Sequence, residues 1–231
     1  MQSHGLPVLG RRWKFVPAVM LAVSALSDIA SAQLVSGREL LQAAGCGDTA
    51  ALNRLITAGT PLDIVDGAKQ TPLLIAVEKN QFAAAALLIQ SGANINAQAA
   101  NMDTPWLLAG ALGRAELLRL MIPNRPDFSL RNRFGGNALI PACERGHVET
   151  VKVLLTTKID VNHVNNLGWT CLLEIVILGD GGLRHSEVTK LVLAAGANPN
   201  IADKDGVSPL THAKRKGQHD VARLIESAGG K

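Results

Sequence analysis

A period of 33 residues governs what this chain can fold into. Thr71-Pro72-Leu73, Thr104-Pro105-Trp106, Asn137-Ala138-Leu139 and Thr170-Cys171-Leu172 begin 33 residues apart, and Ser208-Pro209-Leu210 follows Thr170 by 38. Glycines keep the same beat, with Gly59 and Gly92 one period apart and Gly196 and Gly229 recurring further on. One period back from Leu73 lies Leu40, so a degenerate first unit starts near Ser36. A repeat of this length is one supersecondary unit. It cannot bury its apolar side alone, so neighbouring units must stack to make a continuous core.

The interior of each unit reads as two helices. Thr, Ser or Asn opens the first as an N-cap, accepting from the free N–H groups of the first turn. Pro suits the next position, where the missing N–H costs nothing. A short apolar run follows, such as Leu73-Leu74-Ile75-Ala76-Val77. After a turn, a second helix shows 3.6-type spacing, as in Val148, Val151, Leu154 and Leu155. Gly-Ala-Asn at 92–94 and 196–198 ends it with a residue tolerant of positive φ. Polar stretches such as Asp205-Gly206 turn the chain into the next unit.

With these features the chain resembles the ankyrin repeat family. "DGVSPLTHAKRKGQHDVARLIESAG" (205–229) and "GGNALIPACERGHVETVKVLL" (135–155) are clear instances. The resemblance implies an all-α solenoid of about six helix-turn-helix units with short turn or hairpin tips. The units lie near 36–65, 66–98, 99–131, 132–164, 165–202 and 203–231, within a repeat domain of 33–231. The His that the family usually places after Thr-Pro-Leu is replaced by Leu74, Leu107, Ile140, Leu173 and Thr211. Apolar packing is expected to substitute for its hydrogen bond. Unit three ends on Pro123 and Pro126, and unit four on Lys158-Ile159, so those joints should be the least regular.

Residues 1–32 read as a cleavable signal peptide. Arg11, Arg12 and Lys14 precede a short apolar run from Phe15 to Leu26, and Ala30-Ser31-Ala32 offers a small-residue cleavage site before Gln33. The run is short for a membrane span. Cleavage would remove Arg11, Arg12, Lys14 and Asp28, bringing 23 basic and 19 acidic residues close to balance. No basic stripe for nucleic acid then remains, and Lys214-Arg215-Lys216 reads as a solvated helix end. The expected location is periplasmic or secreted, and the mature chain is expected to be monomeric and not membrane-inserted. With this leader it looks most like bacterial periplasmic ankyrin proteins.

No residue pattern announces catalysis. His147 and His185 follow the turn at the start of a second helix and read as structural caps. His212 and His219 lack a carboxylate or Cys at metal-ligand spacing, so neither metal nor cofactor is expected. Three cysteines in an exported chain leave at least one unpaired and do not make a disulfide scaffold. Cys143 and Cys171 fall at packed helix positions in adjacent units, while Cys46 falls at an exposed helix end. A thiol-based enzyme acting through Cys46 is a minor alternative, since an exposed thiol without a neighbouring base is usually inert.

The functional expectation is a non-enzymatic protein-interaction module. The family resemblance implies that a protein partner meets the turn tips and the exposed side of the first helices. In units four and five those positions turn apolar: Phe134, Leu167, Trp169, Ile177 and Leu178, bordered by Arg133 and Arg145. Trp and Arg dominate interface energetics, and an exposed apolar patch needs an explanation. An exported effector or toxin-neutralising protein is the alternative. Beside this patch lies "LGDGGLRHSE" (178–187). A phosphate loop would need a preceding strand and a Gly-Lys-Ser/Thr ending, and a calcium loop more oxygens than Asp180 alone. The stretch therefore reads as a five-residue insertion in the turn between the two helices of unit five. Its three glycines would take left-handed angles, and Asp180 would extend the contact surface.

Overall fold

The computed structural model describes residues 33–231, so the expected leader at 1–32 lies outside the described residues. The described chain is helical, with no strand assigned. We label residues 33–46 α1, followed by α2 (Thr49–Thr57), α3 (Pro72–Glu78), α4 (Phe82–Gln90), α5 (Pro105–Ala111) and α6 (Ala115–Met121). A 3-10 turn at Ile122–Asn124 precedes α7 (Leu139–Glu144), α8 (Val148–Leu155), α9 (Cys171–Leu178), α10 (Leu183–Ala194), α11 (Pro209–Arg215) and α12 (His219–Ser227). Odd-numbered helices from α3 onward stack on one another as an inner layer, and even-numbered helices stack as an outer layer.

The caps follow the sequence reading. The side chains of Thr71, Thr104, Thr170 and Ser208 accept from the N–H groups of Leu74, Leu107, Leu173 and Thr211. Asn137 does the same work with a different side chain. Its oxygen accepts from Leu139 and Ile140, and its amide donates to the Asp160 carbonyl at 2.9 Å. Outer helices end where Gly92 (φ 90°) and Gly196 (φ 92°) take left-handed angles. The proline-containing joint of unit three instead forces Arg125 to φ 58°, which a residue with a Cβ adopts only at some cost. At the residues replacing the family His, Leu74, Leu107, Ile140 and Leu173 are buried, so apolar packing does substitute.

Repetition places like on like in the core. Ala76, Ala109 and Ala142 stand one period apart in α3, α5 and α7, all fully buried, and their small side chains let the inner helices approach closely. Leu88, Met121, Leu154, Val192 and Ile225 make the matching column of the outer layer, all within 2% of full burial. Trp106 is core, meeting Phe128 edge to face at 5.8 Å.

Polar side chains fasten neighbouring units. Asn96, Asn162 and Asn200 each donate to a carbonyl of the next unit, at Arg125, Gly196 and Gly229. Each also accepts an N–H from that unit, at Asp127, Asn198 and Lys231. Ser129 holds this place in unit three, and its hydroxyl turns back to Asp127 instead. Gln81 and Gln218 follow a second rule, reaching back to the Gly45 and Gly179 carbonyls of the preceding unit. His147 and His185 stand in the same column. Neither caps its own helix: His147 makes no cap bond, and α10 begins at Leu183 with Gly182 as its N-cap.

Two features depart from expectation. Cys143 and Cys171 form a disulfide joining α7 to α9 with Cα atoms 5.5 Å apart, leaving exposed Cys46 free. Closing a loop of 28 residues restricts the unfolded chain by roughly 3–4 kcal/mol in the chain-entropy account. The insertion in unit five mostly lengthens a helix. α10 runs for 12 residues where α8 has 8, leaving a tight connection at 179–182. Of its glycines only Gly181 is left-handed, at φ 69°. Gly179 is required by space, since a Cβ there would lie 2.3 Å from the Ile175 carbonyl oxygen.

Close approach of the inner helices makes a testable demand at Gly110. A Cβ there would meet the Ala138 carbonyl oxygen at 2.7 Å and the Ala138 Cβ at 2.8 Å. Gly110→Ala should therefore destabilise the chain by about 1–3 kcal/mol in urea titration, despite alanine's better helix propensity. An unchanged or higher midpoint would show that the α5–α7 contact is looser than described.

Candidate functional site

The inner layer and the tips of units four and five enclose a groove of about 280 Å³. The tips are built by Asn132 and Asn165, whose side-chain oxygens accept the N–H groups two and four residues ahead. The two tips are joined by the Asn166 N–H, which donates to the Phe134 carbonyl at 2.9 Å. This fixed backbone presents Phe134 and Leu167, each about half exposed, while the end of α9 presents Leu178, 51% exposed. Ile140, Pro141 and Glu144 of α7, Arg145 just after it, and Glu174 of α9 complete the walls.

Of the eight residues expected at a contact surface, Phe134, Arg145, Leu167 and Leu178 line this groove. Arg133 stands at its edge, its guanidinium 4.6 Å from the Phe134 ring centre. Trp169 and Ile177 are half-buried against the core and do not line it. Asp180 is also elsewhere. Its Oδ1 accepts from the Gly182 N–H at 2.8 Å and lies 2.6 Å from Nδ1 of His185, and these two bonds hold its carboxyl below the usual range. His185 Nε2 faces the Glu144 carbonyl at 2.9 Å. Lys216 and Gln218 of unit six donate to the Ile177 and Gly179 carbonyls. The 179–182 connection is thus a strut tying units four, five and six together.

Glu174 is the residue that the sequence reading passed over. Its neighbours by period are Ile75, Leu108 and Pro141, so a carboxyl here replaces an apolar side chain. That break in the column was a readable signal. Glu174 is 5% exposed. Its Oε1 accepts from Asn165 Nδ2 at 2.9 Å, and Oε2 meets no donor among the described residues. In unit six the equivalent pair is His212 and Asp203, 2.7 Å apart, a bond that lowers the Asp203 carboxyl. Burial, and then the charge of Glu144, push Glu174 up to about 7, against the opposing effect of the Asn165 bond. Burial also pushes His147 down, helped by the nearby Arg145 guanidinium.

The groove holds no nucleophile paired to a base, and no cluster of His, Cys, Asp or Glu able to hold a metal occurs among the described residues. What it offers is a rigid, half-apolar surface with a buried carboxyl at its floor.

The raised Glu174 carboxyl makes stability fall with rising pH. Folding favours its protonated form, so its contribution is whole below about 4.5 and is lost as pH rises through about 7. Glu174→Gln cannot ionise and keeps an oxygen for Asn165. It should match the wild type near pH 4 and exceed it near pH 8 by on the order of 2 kcal/mol. Stability curves that stay parallel across this range would contradict the assignment.

Comparison with known proteins agrees with this architecture. The family described as "Ankyrin repeats (3 copies)" matches residues 40–124 and 106–181. The ankyrin repeat protein YahD of Escherichia coli K12 is 38% identical over 192 residues, covering 83% of this chain and 96% of that protein. A crystal structure of an ankyrin repeat domain from Acinetobacter baumannii superposes with a TM-score of 0.80 at 45% identity, covering 83% of this chain and 98% of that one. The ankyrin repeat domain of Bcl-3, described as a member of the IkappaB protein family, superposes at 0.73 with 28% identity, covering 84% and 86%.

Proposed function

The chain belongs to the ankyrin repeat family, and on that premise we propose that it is a non-enzymatic scaffold that binds a protein partner through the groove of units four and five. Ankyrin repeats are protein-interaction modules, and fold alone leaves the site to be argued. The observation that carries the proposal is the cluster of Phe134, Leu167 and Leu178, each about half exposed on one fixed face. Apolar side chains held in water by rigid tips gain by being covered, at about 25 cal/mol per Å² of area removed from solvent. Holding them rigid beforehand reduces the ordering cost of binding.

We place the protein outside the cytoplasm, in the periplasm or secreted. Two features support this: the leader-like pattern of residues 1–32 and the Cys143–Cys171 disulfide, a bond that persists in oxidising compartments. No helix among the described residues is long and apolar enough to cross a membrane.

Phe134→Ala combined with Leu167→Ser should abolish capture of the partner from periplasmic extract while leaving helicity and melting temperature nearly unchanged. Capture at wild-type level would move the site elsewhere. For the location, protein isolated from cells should begin at or near Gln33 and bind iodoacetamide at Cys46 alone until reduced. An intact Met1, or three free thiols in freshly isolated material, would rule out the exported form.

A further inference from the structure

Resting on the binding surface just described, the geometry points to a partner that inserts a basic side chain, Lys or Arg, flanked by apolar residues, with Glu174 and Glu144 as its acceptors. Glu174 is more than nine-tenths buried and lines the groove, yet its Oε2 has no donor among the described residues. That oxygen is not enclosed by the fold but open to the groove, where an incoming donor can reach it. A second carboxyl, Glu144, lines the same groove and is close enough to act electrostatically on Glu174.

The nearby cations do not satisfy these carboxyls. Arg145 donates to the Ala111 carbonyl at 2.9 Å, and Arg133 lies over the Phe134 ring. Neither forms an ion pair with Glu144 or Glu174 among the described residues. The groove's volume of about 280 Å³ falls just below the roughly 300–1,000 Å³ of small-molecule pockets, and suits a single long side chain. A Lys or Arg stem can lie along Phe134 and Leu167 while its charged end reaches the carboxyls. A cation arriving there supplies the donor that Glu174 lacks and favours its ionised form.

The disulfide bears on this site. Cys143 precedes Glu144 in the chain, and Cys171 lies one helical turn before Glu174. The bond therefore holds the two carboxyl-bearing helices at a set separation.

A displayed library of random peptides, selected on the full chain, tests the proposal. The selected peptides should share one Lys or Arg beside apolar residues. Their affinity should fall about tenfold or more on Glu174→Gln and several-fold on Glu144→Gln, a half-buried position whose replacement spares the core. They should also be lost on Leu167→Asp. Peptides without a basic residue, or bound equally by both glutamine variants, would overturn the cation assignment. If those same peptides were still lost on Leu167→Asp, the binding surface itself would stand. Peptides indifferent to Leu167→Asp, or no enrichment at all, would overturn both.

Discussion

Every helix pair in this chain leaves an apolar flank uncovered, and only the next unit covers it. The alanine column of the inner layer and the Leu88–Ile225 column of the outer layer are where that covering happens. Because the contact recurs, its chemistry recurs, down to the asparagines that give and take a backbone hydrogen bond across three of the joints. Stability then resides in nearest-neighbour contacts. Each unit is as firm as its two joints, and a local departure is felt locally.

The departures gather in units four and five. There the chain adds a disulfide between inner helices, a longer outer helix with its strut, an apolar tip pair and a carboxyl in a column otherwise apolar or His. Two of these stiffen the site: the disulfide fixes α7 against α9, and the bonds from His185, Lys216 and Gln218 fix the 179–182 connection. The other two provide features of no use to the fold. Exposed Phe134 and Leu167 add nothing to the core, and the Glu174 carboxyl costs stability when ionised. A rigid frame around groups that burden the free protein is the expected build of a preorganised binding site.

Much of this was legible from residue order, because a repeat turns long-range packing into a short-range pattern. Period, caps, the burial of Trp106 and the exposure of Cys46 all follow from column position. What escaped was whatever depends on contact between columns. Cys143 and Cys171 occupy different columns, so alignment by period never sets them side by side. Trp169 was expected at the surface by its place among the turn tips, yet it packs against the core while Leu167, two residues earlier, points outward. The glycine-rich insert suggested a bulge. A four-residue connection at 179–182 proves sufficient, and Leu183, Arg184 and His185 extend the start of α10 by nearly a turn. Asp180 was expected to face a partner; its Oδ1 is engaged by Gly182 and His185, while its side chain stays 72% exposed.

The central claim is that partners meet the inner face of units four and five. Photocrosslinking in living cells tests it most directly, with a photoreactive residue placed at Leu167 on the groove or at Leu183 on α10, outside it. Leu183 is the more exposed of the two, at 87% against 48%, so simple accessibility favours it. The account predicts a discrete crosslinked product from position 167 and none from 183. A product from 183 alone would contradict it.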